Sequence, residues 1–454
     1  MTTESRLRRF ATSGTLTARI LRGAALLVGS FGLSQVLRLL SNLVLTRLLF
    51  PEAFGLMGLV TVFLIGMVMF SDVGIGQAIA RSPRGDDKDF LDTAWTLQIL
   101  RGALLFLVGL ALANPVAAFY GEPVLAGMLA LASVQLLAMG FMPTKRDTAN
   151  RHLRLGRLTL LDLAVQVLSL VIMVALAFWL RSVWALVLGS IAGTVLQILF
   201  TVFFLPGPGN RLRLERAALQ ELVHFGKWIF LSTICGFLLS QGDKLILGKF
   251  LPLDAFGIYN IGFFLGSFPA MLGTLAISRL LIPIYRERPP GESRDNFLKL
   301  RKMRILVSGG LMAVTAVAAF LGPWFVSFLY DGRYHDAGVV VTLVACIQIA
   351  TIIGLTYDNV ALAAGDSRRF FVLMAIRTIL LIAGLYFGVQ MAGLPGALIG
   401  QGLAMLASYP ALVWLVRRLG AWDPLHDGGF AALGVLIAVP AIWWRWDVLV
   451  ALGN

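Results

Sequence analysis

Charge is scarce in this sequence. Asp, Glu, Lys and Arg together make up 14% of its 454 residues, against about a quarter in a soluble domain, and that excludes a water-soluble globule. Cysteine is scarcer still: Cys235 and Cys346 are the only two, both inside apolar runs, so neither a disulfide framework nor a cysteine zinc site is expected. Four histidines, His152, His224, His335 and His426, are scattered without ligand spacing, and no metal site is expected from them. No G-x-x-x-x-G-K-[ST] segment is present to cradle a nucleotide's phosphates, which argues against ATP hydrolysis by this chain. Long polar segments are missing too: the longest connector, 284–304, has about twenty residues, far fewer than a soluble catalytic domain needs.

What the sequence has in excess is apolar residues, 58% of the chain, with a mean hydropathy of +0.84. Apolar runs recur from Gly23 to Val450, each of roughly twenty residues and so long enough to cross about 30 Å of hydrocarbon. The fold class expected is therefore an all-α polytopic membrane protein. Breaks in hydropathy place thirteen spans, at 23–48, 54–80, 94–114, 124–143, 159–180, 183–205, 227–248, 255–283, 305–330, 337–364, 370–391, 394–416 and 430–450. Basic residues alternate sharply between the connectors. One set, comprising the N-terminus and every second connector, holds 28 of them, whereas the opposite set holds only Arg47, Arg181, Lys249 and Arg333. Because basic loops stay in the cytoplasm, the N-terminus is expected there. The net charge of +14 is spread over all the cytoplasmic connectors without aromatic interleaving, so anionic lipid rather than nucleic acid is the expected partner. Residues 1–22 lack a small-residue cleavage site and read as an amphipathic cytoplasmic segment, and 212–223 has the pattern of a second interfacial helix.

An internal repeat organises the chain. Thr46-Arg-Leu-Leu-Phe-Pro-Glu-Ala-Phe-Gly55 returns 202 positions later as Gly248-Lys-Phe-Leu-Pro-Leu-Asp-Ala-Phe-Gly257. Weaker matches flank it: Arg6-Leu-Arg8 with Arg211-Leu-Arg213, Asn114-Pro115 with Gly322-Pro323, and Ala185-Leu-Val187 with Ala397-Leu-Ile399. Six spans separate the copies, an even number, so both halves are expected to have the same orientation. The resulting division is an N-lobe of six spans at 23–205, a cytoplasmic linker at 206–226, a C-lobe of six spans at 227–416, and a connector with a further hydrophobic segment at 417–454. Parallel repeats related by an axis along the membrane normal are a transporter architecture, with the site between the halves. The small-xxx-small pairs Gly189/Gly193, Gly262/Gly266, Gly384/Gly388 and Gly396/Gly400 are expected to allow close helix approach.

Charges within the spans carry the functional signal, since each costs roughly 2.5–3.5 kcal/mol on insertion scales unless it faces protein or water. In the first span Ser34, Gln35, Arg38, Ser41 and Asn42 fall on one helical face. The corresponding span seven holds Ser240, Gln241, Asp243 and Lys244, span eight adds Asn260, span three Gln98 and Arg101, span ten Gln348, Thr351 and Asp358, and span eleven Arg377. A wet chamber lined by several helices accounts for them together, with Arg38 and Lys244 near mid-bilayer and Arg101 and Arg377 nearer the cytoplasm. Salt bridges that only hold helices together are the alternative. Asp72 reads as structural, with Arg47 and Lys249 in a structural or gating role. Asp243 and Asp358 are candidates for a coupling ion, H+ or Na+.

Several motifs together resemble bacterial oligosaccharide flippases of the polysaccharide transport family. They are Leu45-Thr-Arg-Leu-Leu-Phe-Pro-Glu-Ala-Phe-Gly-Leu-Met57, Phe70-Ser-Asp-Val-Gly-Ile-Gly-Gln-Ala-Ile79, Thr93-Ala-Trp-Thr-Leu-Gln98, Phe119-Tyr-Gly-Glu-Pro123, Phe225-Gly-Lys-Trp228 and Gln241-Gly-Asp-Lys-Leu-Ile-Leu-Gly248. The likeness is to exopolysaccharide and colanic-acid-type exporters. It implies the multidrug/oligosaccharidyl-lipid/polysaccharide flippase fold, with twelve or fourteen spans; the thirteen read here depart from that. The resemblance also implies a polyprenyl-pyrophosphate-linked oligosaccharide as cargo, moved from the cytoplasmic to the periplasmic leaflet of the bacterial inner membrane. No enzymatic activity and no cofactor follow from it, and a monomer working beside polysaccharide polymerase or export machinery is expected. Arg38, Arg101, Lys244 and Arg377 would then meet the pyrophosphate, for which arginine's planar fork is suited. Ser34, Gln35, Asn42, Gln98, Gln241 and Asn260 would meet the glycan. Two other readings compete. A multidrug exporter of organic cations would call for an acid-dominated chamber, and a glycosyltransferase or polymerase for a larger outer loop than Asp331-Gly-Arg-Tyr-His-Asp336.

Overall fold

Long runs rich in Leu, Ala and Val, punctuated by Gly and Pro, make helices that must close their own backbone hydrogen bonds in lipid. The computed structural model describes residues 16–72, 74–226, 230–277, 281, 285, 289–357, 360–364 and 366–451, and no strand occurs among them. Asp358, most of the N-terminal segment 1–22, and Arg279 lie outside the described residues. The first helices are α1 (Leu16–Leu48), α2 (Pro51–Phe70), α3 (Ile75–Arg81), α4 (Lys88–Tyr120), α5 (Pro123–Gly140), α6 (Lys145–Arg151), α7 (Leu155–Leu180), α8 (Trp184–Phe204) and α9 (Arg216–Gly226). They are followed by α10 (Phe230–Phe250), α11 (Leu253–Gly266), α12 (Phe268–Ala276), α13 (Arg294–Leu329), α14 (Ala337–Leu355), α15 (Val360–Ala363), α16 (Ser367–Arg418), α17 (Pro424–Trp443) and α18 (Trp446–Ala451).

Among the described residues nine helices are long and apolar enough to cross a membrane, ten if the bent pair α11–α12 is one span. The polar-faced α1 and α10 are not among the nine, whereas α17 is. The 52-residue α16 is two helices joined at a break, where Ala392 and Gly393 leave helical geometry and Gly393 takes a φ of 55°. Several boundaries differ from the hydropathy reading, two of them with a local cause in the chain. The span expected at 54–80 ends at Phe70, because Gly74 (φ 67°) turns the chain before the short α3. The last span begins at Pro424 rather than 430: Asp423 caps it, accepting from the His426 N–H, and proline occupies the first turn, where its missing N–H costs nothing.

The described chain divides into two units, one of residues 1–49 and 63–230, the other of 50–62 and 231–454. In the first unit α4 and α5 form an antiparallel pair. Gly121 (φ 79°) donates its N–H to the Ala117 and Ala118 carbonyls to end α4, and Pro123 opens α5. Along that pair a Cβ on Gly102 would come 2.9 Å from the Gly140 Cα, so the backbones touch. Gly189 and Gly193 of α8 sit against Met173 and Ser169 of α7.

In the second unit Gly262 and Gly266 of α11 lie against Val340 and Val344 of α14. Across the break in α16, Gly384 faces Gly400 and Gly388 faces Gly396, each meeting the other's carbonyl. These are the small-residue pairs read from the sequence. The core beside them joins Leu311, Met312 and Ala319 of α13 with Ala345, Cys346 and Ile352 of α14 and Ile437 and Ala441 of α17.

Candidate functional site

In the first unit the polar face of α1 is partly committed to α7. Ser34 donates to Gln166 Oε1 at 2.7 Å, and the Gln166 amide donates back to the Ser34 carbonyl at 3.0 Å. Gln35 and Ser41 are buried, whereas Arg38 is exposed and Asn42 half-buried. Gln98 donates to the Met139 carbonyl at 3.1 Å. Arg101, one turn further along α4, donates from Nε to Ser71 Oγ at 2.9 Å and from Nη2 to the Val68 carbonyl at 2.7 Å. Val68 is among the last residues of α2, whose final carbonyls have no partner within the helix. Arg101 therefore caps α2, with the Asp72 carboxylate 4.0 Å from its Nη1. Asp72 itself accepts from the Gly74 N–H at 2.9 Å and so shapes the turn after α2. Asp162 receives both terminal nitrogens of Arg146, at 2.7 and 3.0 Å, and the amide of Gln197 at 3.0 Å.

In the second unit the polar turn of α10 separates its two charges. Asp243 is 4% exposed and accepts from the hydroxyl of Tyr259, itself fully buried, at 2.5 Å. Lys244, one residue on, is half-buried. Its Nζ donates to Gln241 Oε1 at 3.2 Å and lies 5.7 Å from the Phe263 ring centroid, a cation–π approach. Asn260 donates to the Phe256 carbonyl at 2.9 Å. Arg377 of α16 places its guanidinium beside Gly354 of α14, where a Cβ would approach Nη2 to 3.3 Å. Lys249 is exposed at the end of α10, as Arg47 is near the end of α1.

The second unit also brings the two copies of the repeated motif into contact, because it includes residues 50–62. A Cβ on Gly55 would strike the Leu253 carbonyl, and one on Gly257 would strike the Pro51 carbonyl. Leu253 is the 202-offset counterpart of Pro51, and Gly257 that of Gly55. The contact is thus self-complementary, as a two-fold relation requires. Gly58 lies against Asn260, where a Cβ would come 2.6 Å from the amide nitrogen. Phe54 packs edge-on against Tyr334 with centroids 6.0 Å apart, and Arg333 lies over Phe50 at 5.1 Å.

Sequence reasoning missed a buried network at the start of α17. Arg304 is 1% exposed; it donates to the Tyr285 hydroxyl and to the Ala421 carbonyl, and lies 4.2 Å from the Tyr357 ring centroid. Arg301 holds Asp423 with two hydrogen bonds. Asp427 accepts from Tyr357 at 2.7 Å, from Tyr409 at 2.6 Å and from His426 Nδ1 at 2.8 Å, while His426 Nε2 meets Ser308 Oγ at 3.0 Å. The signal available was the Asp423-Pro424 helix start, which extends the last helix back over His426 and Asp427.

For the linker after α8 the sequence pattern predicts a membrane-surface helix over 212–223. Instead 211–215 has no regular secondary structure and α9 begins only at Arg216. The N–H groups of Arg211, Arg213 and Glu215 are donated to Asp92 Oδ1, Thr96 Oγ1 and Thr93 Oγ1, at 3.0, 2.9 and 3.0 Å. The apolar face of α9, Ala218 and Leu222, packs on Ile79, Phe90, Leu91 and Ala94 of the protein rather than on lipid. Nearby, in the short α6 between α5 and α7, burial pushes the Asp147 carboxyl up to about 6 despite the opposing pull of Arg146.

Residues 44–339 match a family model described as polysaccharide biosynthesis protein. The chain is 21% identical over 310 residues to the teichuronic acid biosynthesis protein TuaB of Bacillus subtilis, an alignment covering 66% of this chain and 62% of TuaB. It is 22% identical over 374 residues to the lipopolysaccharide biosynthesis protein WzxC of Escherichia coli, covering 80% of this chain and 74% of WzxC. With the succinoglycan biosynthesis transport protein ExoT of Rhizobium meliloti it shares 20% over 416 residues, 90% of this chain and 81% of ExoT. Among solved structures, an inward-facing multidrug resistance MATE family transporter of the MOP superfamily superposes with a TM-score of 0.63 at 17% identity, over 86% of this chain and 95% of that one. A MOP superfamily transporter from Pyrococcus furiosus, described as having a binding pocket of reverse polarity, gives 0.57 at 17% identity, over 89% and 96%. These structures establish the fold: the chain has the architecture of the MOP transporters.

Proposed function

We propose that this chain, which belongs to the polysaccharide biosynthesis protein family, moves a polyprenyl-pyrophosphate-linked oligosaccharide from the cytoplasmic to the periplasmic leaflet by alternating access. It is a multi-pass membrane transporter of polysaccharide biosynthesis and not an enzyme. The observation that carries the finer reading is the sign of the accessible charge within the membrane helices. Asp243 is sealed under Tyr259 and Asp162 is neutralised by Arg146, whereas Arg38 is exposed and Lys244 half-buried, so an anionic cargo is favoured over a cationic one. The lobes at 23–205 and 227–416, the cytoplasmic N-terminus, and a coupling proton or Na+ at Asp243 belong to the same proposal.

The pyrophosphate would be met by Arg38 and Lys244, with Arg101 and Arg377 nearer the cytoplasmic side. A guanidinium gives two parallel charge-assisted bonds to a phosphate, an ammonium a point contact. Arg38→Ala and Lys244→Ala are each expected to cut transport of a lipid-linked oligosaccharide in proteoliposomes at least tenfold, and Arg38→Lys to retain part of it. The cargo should change leaflet with its mass unchanged. Wild-type transport by the well-expressed double variant would overturn the assignment.

A further inference from the structure

The first unit carries a cavity that borders none of the residues assigned to the cargo. It has a volume of about 550 Å³ and is lined by Leu153, Arg154, Gly156, Arg157 and Pro206. Its wall is therefore the start of α7, the turn before it and the residues that follow α8. Leu153 is held there in the left-handed region, φ 53°, and its side chain is 69% exposed. Both arginines are exposed. In the same connector Arg146 is paired with Asp162 and Arg151 with Asp86, but among the described residues Arg154 and Arg157 bond no carboxylate.

Below the two arginines the surface is apolar. On α7, Leu160, Val167 and Val171 follow Arg157 at helical spacing and are 69%, 45% and 59% exposed. On α8, Val195, Leu199 and Phe203 make a second exposed stripe that runs toward Pro206. Two arginines with no carboxylate partner among the described residues, above two apolar stripes, match one chemistry: a phosphate diester on two acyl chains.

We infer that this cavity binds the headgroup phosphate of an anionic glycerophospholipid of the surrounding bilayer, held by Arg154 and Arg157, with the two acyl chains lying along the exposed stripes of α7 and α8. The leaflet, cytoplasmic, rests on the sidedness proposed above; the site does not. Each arginine near a charged membrane surface is worth about a factor of five in lipid affinity, so the pair is worth roughly thirtyfold.

The test uses the full-length protein in nanodiscs of phosphatidylcholine containing a phosphatidylglycerol with a photoactivatable group next to its phosphate. Labelled peptides are mapped by mass spectrometry. Labelling is expected within 153–160 and 203–206, displaced by unlabelled phosphatidylglycerol and not by phosphatidylcholine. Arg154→Ala/Arg157→Ala should lower it roughly thirtyfold, and Arg154→Lys/Arg157→Lys should keep most of it, since the charge survives. Equal displacement by phosphatidylcholine would overturn the proposal on the wild-type protein alone. So would stronger displacement by a polyprenyl pyrophosphate, which would make the cavity a cargo site, or unchanged labelling in the alanine pair. Loss of transport in Arg38→Ala leaves this labelling intact, so the two proposals fail separately.

Discussion

Two connectors of this chain are tied down by opposite chemistry. In the first unit the 211–215 segment is held at the surface: its N–H groups bond Asp92, Thr93 and Thr96, and the side chains of the ion pairs beside it, Arg84–Glu215 and Arg213–Asp89, are 31% to 55% exposed. In the second unit the connector into α17 is held from within, by Arg304, Asp423 and Asp427, which are 1%, 0% and 4% exposed. The strap adds little per bond because its donors Arg211 and Arg213 are exposed and water can take the place of a lost acceptor, although the acceptors Asp92, Thr93 and Thr96 are themselves buried. The inner network adds little as a whole relative to an apolar core, but removing one member strands the others without water. The first kind of tie tolerates change and the second does not.

The largest effect should follow from Asp427→Leu, which leaves two tyrosine hydroxyls and His426 without their acceptor. A destabilisation of about 3–5 kcal/mol is expected, read as a steep loss of thermal stability in detergent. Arg304→Met should behave alike. A loss no greater than that of a strap variant would break the comparison.

Next come the glycines of the repeated motif. Gly55→Leu and Gly257→Leu drive a side chain into a facing carbonyl, and overpacking of this kind costs typically 1–3 kcal/mol. The self-complementary contact makes a sharper demand: the two variants should be equally destabilised in the same assay. A strong effect at one position and none at the other would show that the local two-fold relation is only apparent.

Asp92→Ala tests the strap itself. It removes the acceptor of the Arg211 N–H and the partner of Lys88, and about 1 kcal/mol is expected for it. Hydrogen exchange should rise at 209–215 while α17 stays protected. Arg84→Ala is expected to have no measurable effect at physiological salt, where exposed pairs contribute little.

The smallest effect concerns Asp147. Its folded pKa, about 6, lies above the unfolded value near 3.9, so the fold penalises the ionised form and stability from this group increases as pH falls through 6. Asp147→Asn should raise the melting temperature by a few degrees at about pH 7.5, with the gain shrinking toward about pH 4.5. A pH-independent difference would show that the carboxyl is not held in a desolvated place.

Much of the fold was legible in the sequence for reasons that act locally. Hydropathy marks the helices because a backbone in lipid must close its hydrogen bonds within the protein, and a long apolar run does so within its own segment as a helix. Glycine spacing marked the close approaches at Gly262/Gly266 and across the break in α16, since only a missing side chain permits them. The repeat was visible as matching residues, and the reciprocal contact of Gly55 and Gly257 supports it. Tertiary structure alone decided the partners of charge. Arg101 reads from sequence as a cargo-facing base or a salt-bridge partner, yet its hydrogen bonds go to the end of α2, at Val68 and Ser71. Arg304 reads as one more cytoplasmic base, yet it is buried against Ala421, 117 residues away. The apolar face of α9 reads as lipid-facing, yet it covers Phe90 and Leu91. A hydropathy pattern records how much a side chain avoids water at its own position. It carries no record of which distant group will replace that water, and this is settled only when the helices pack.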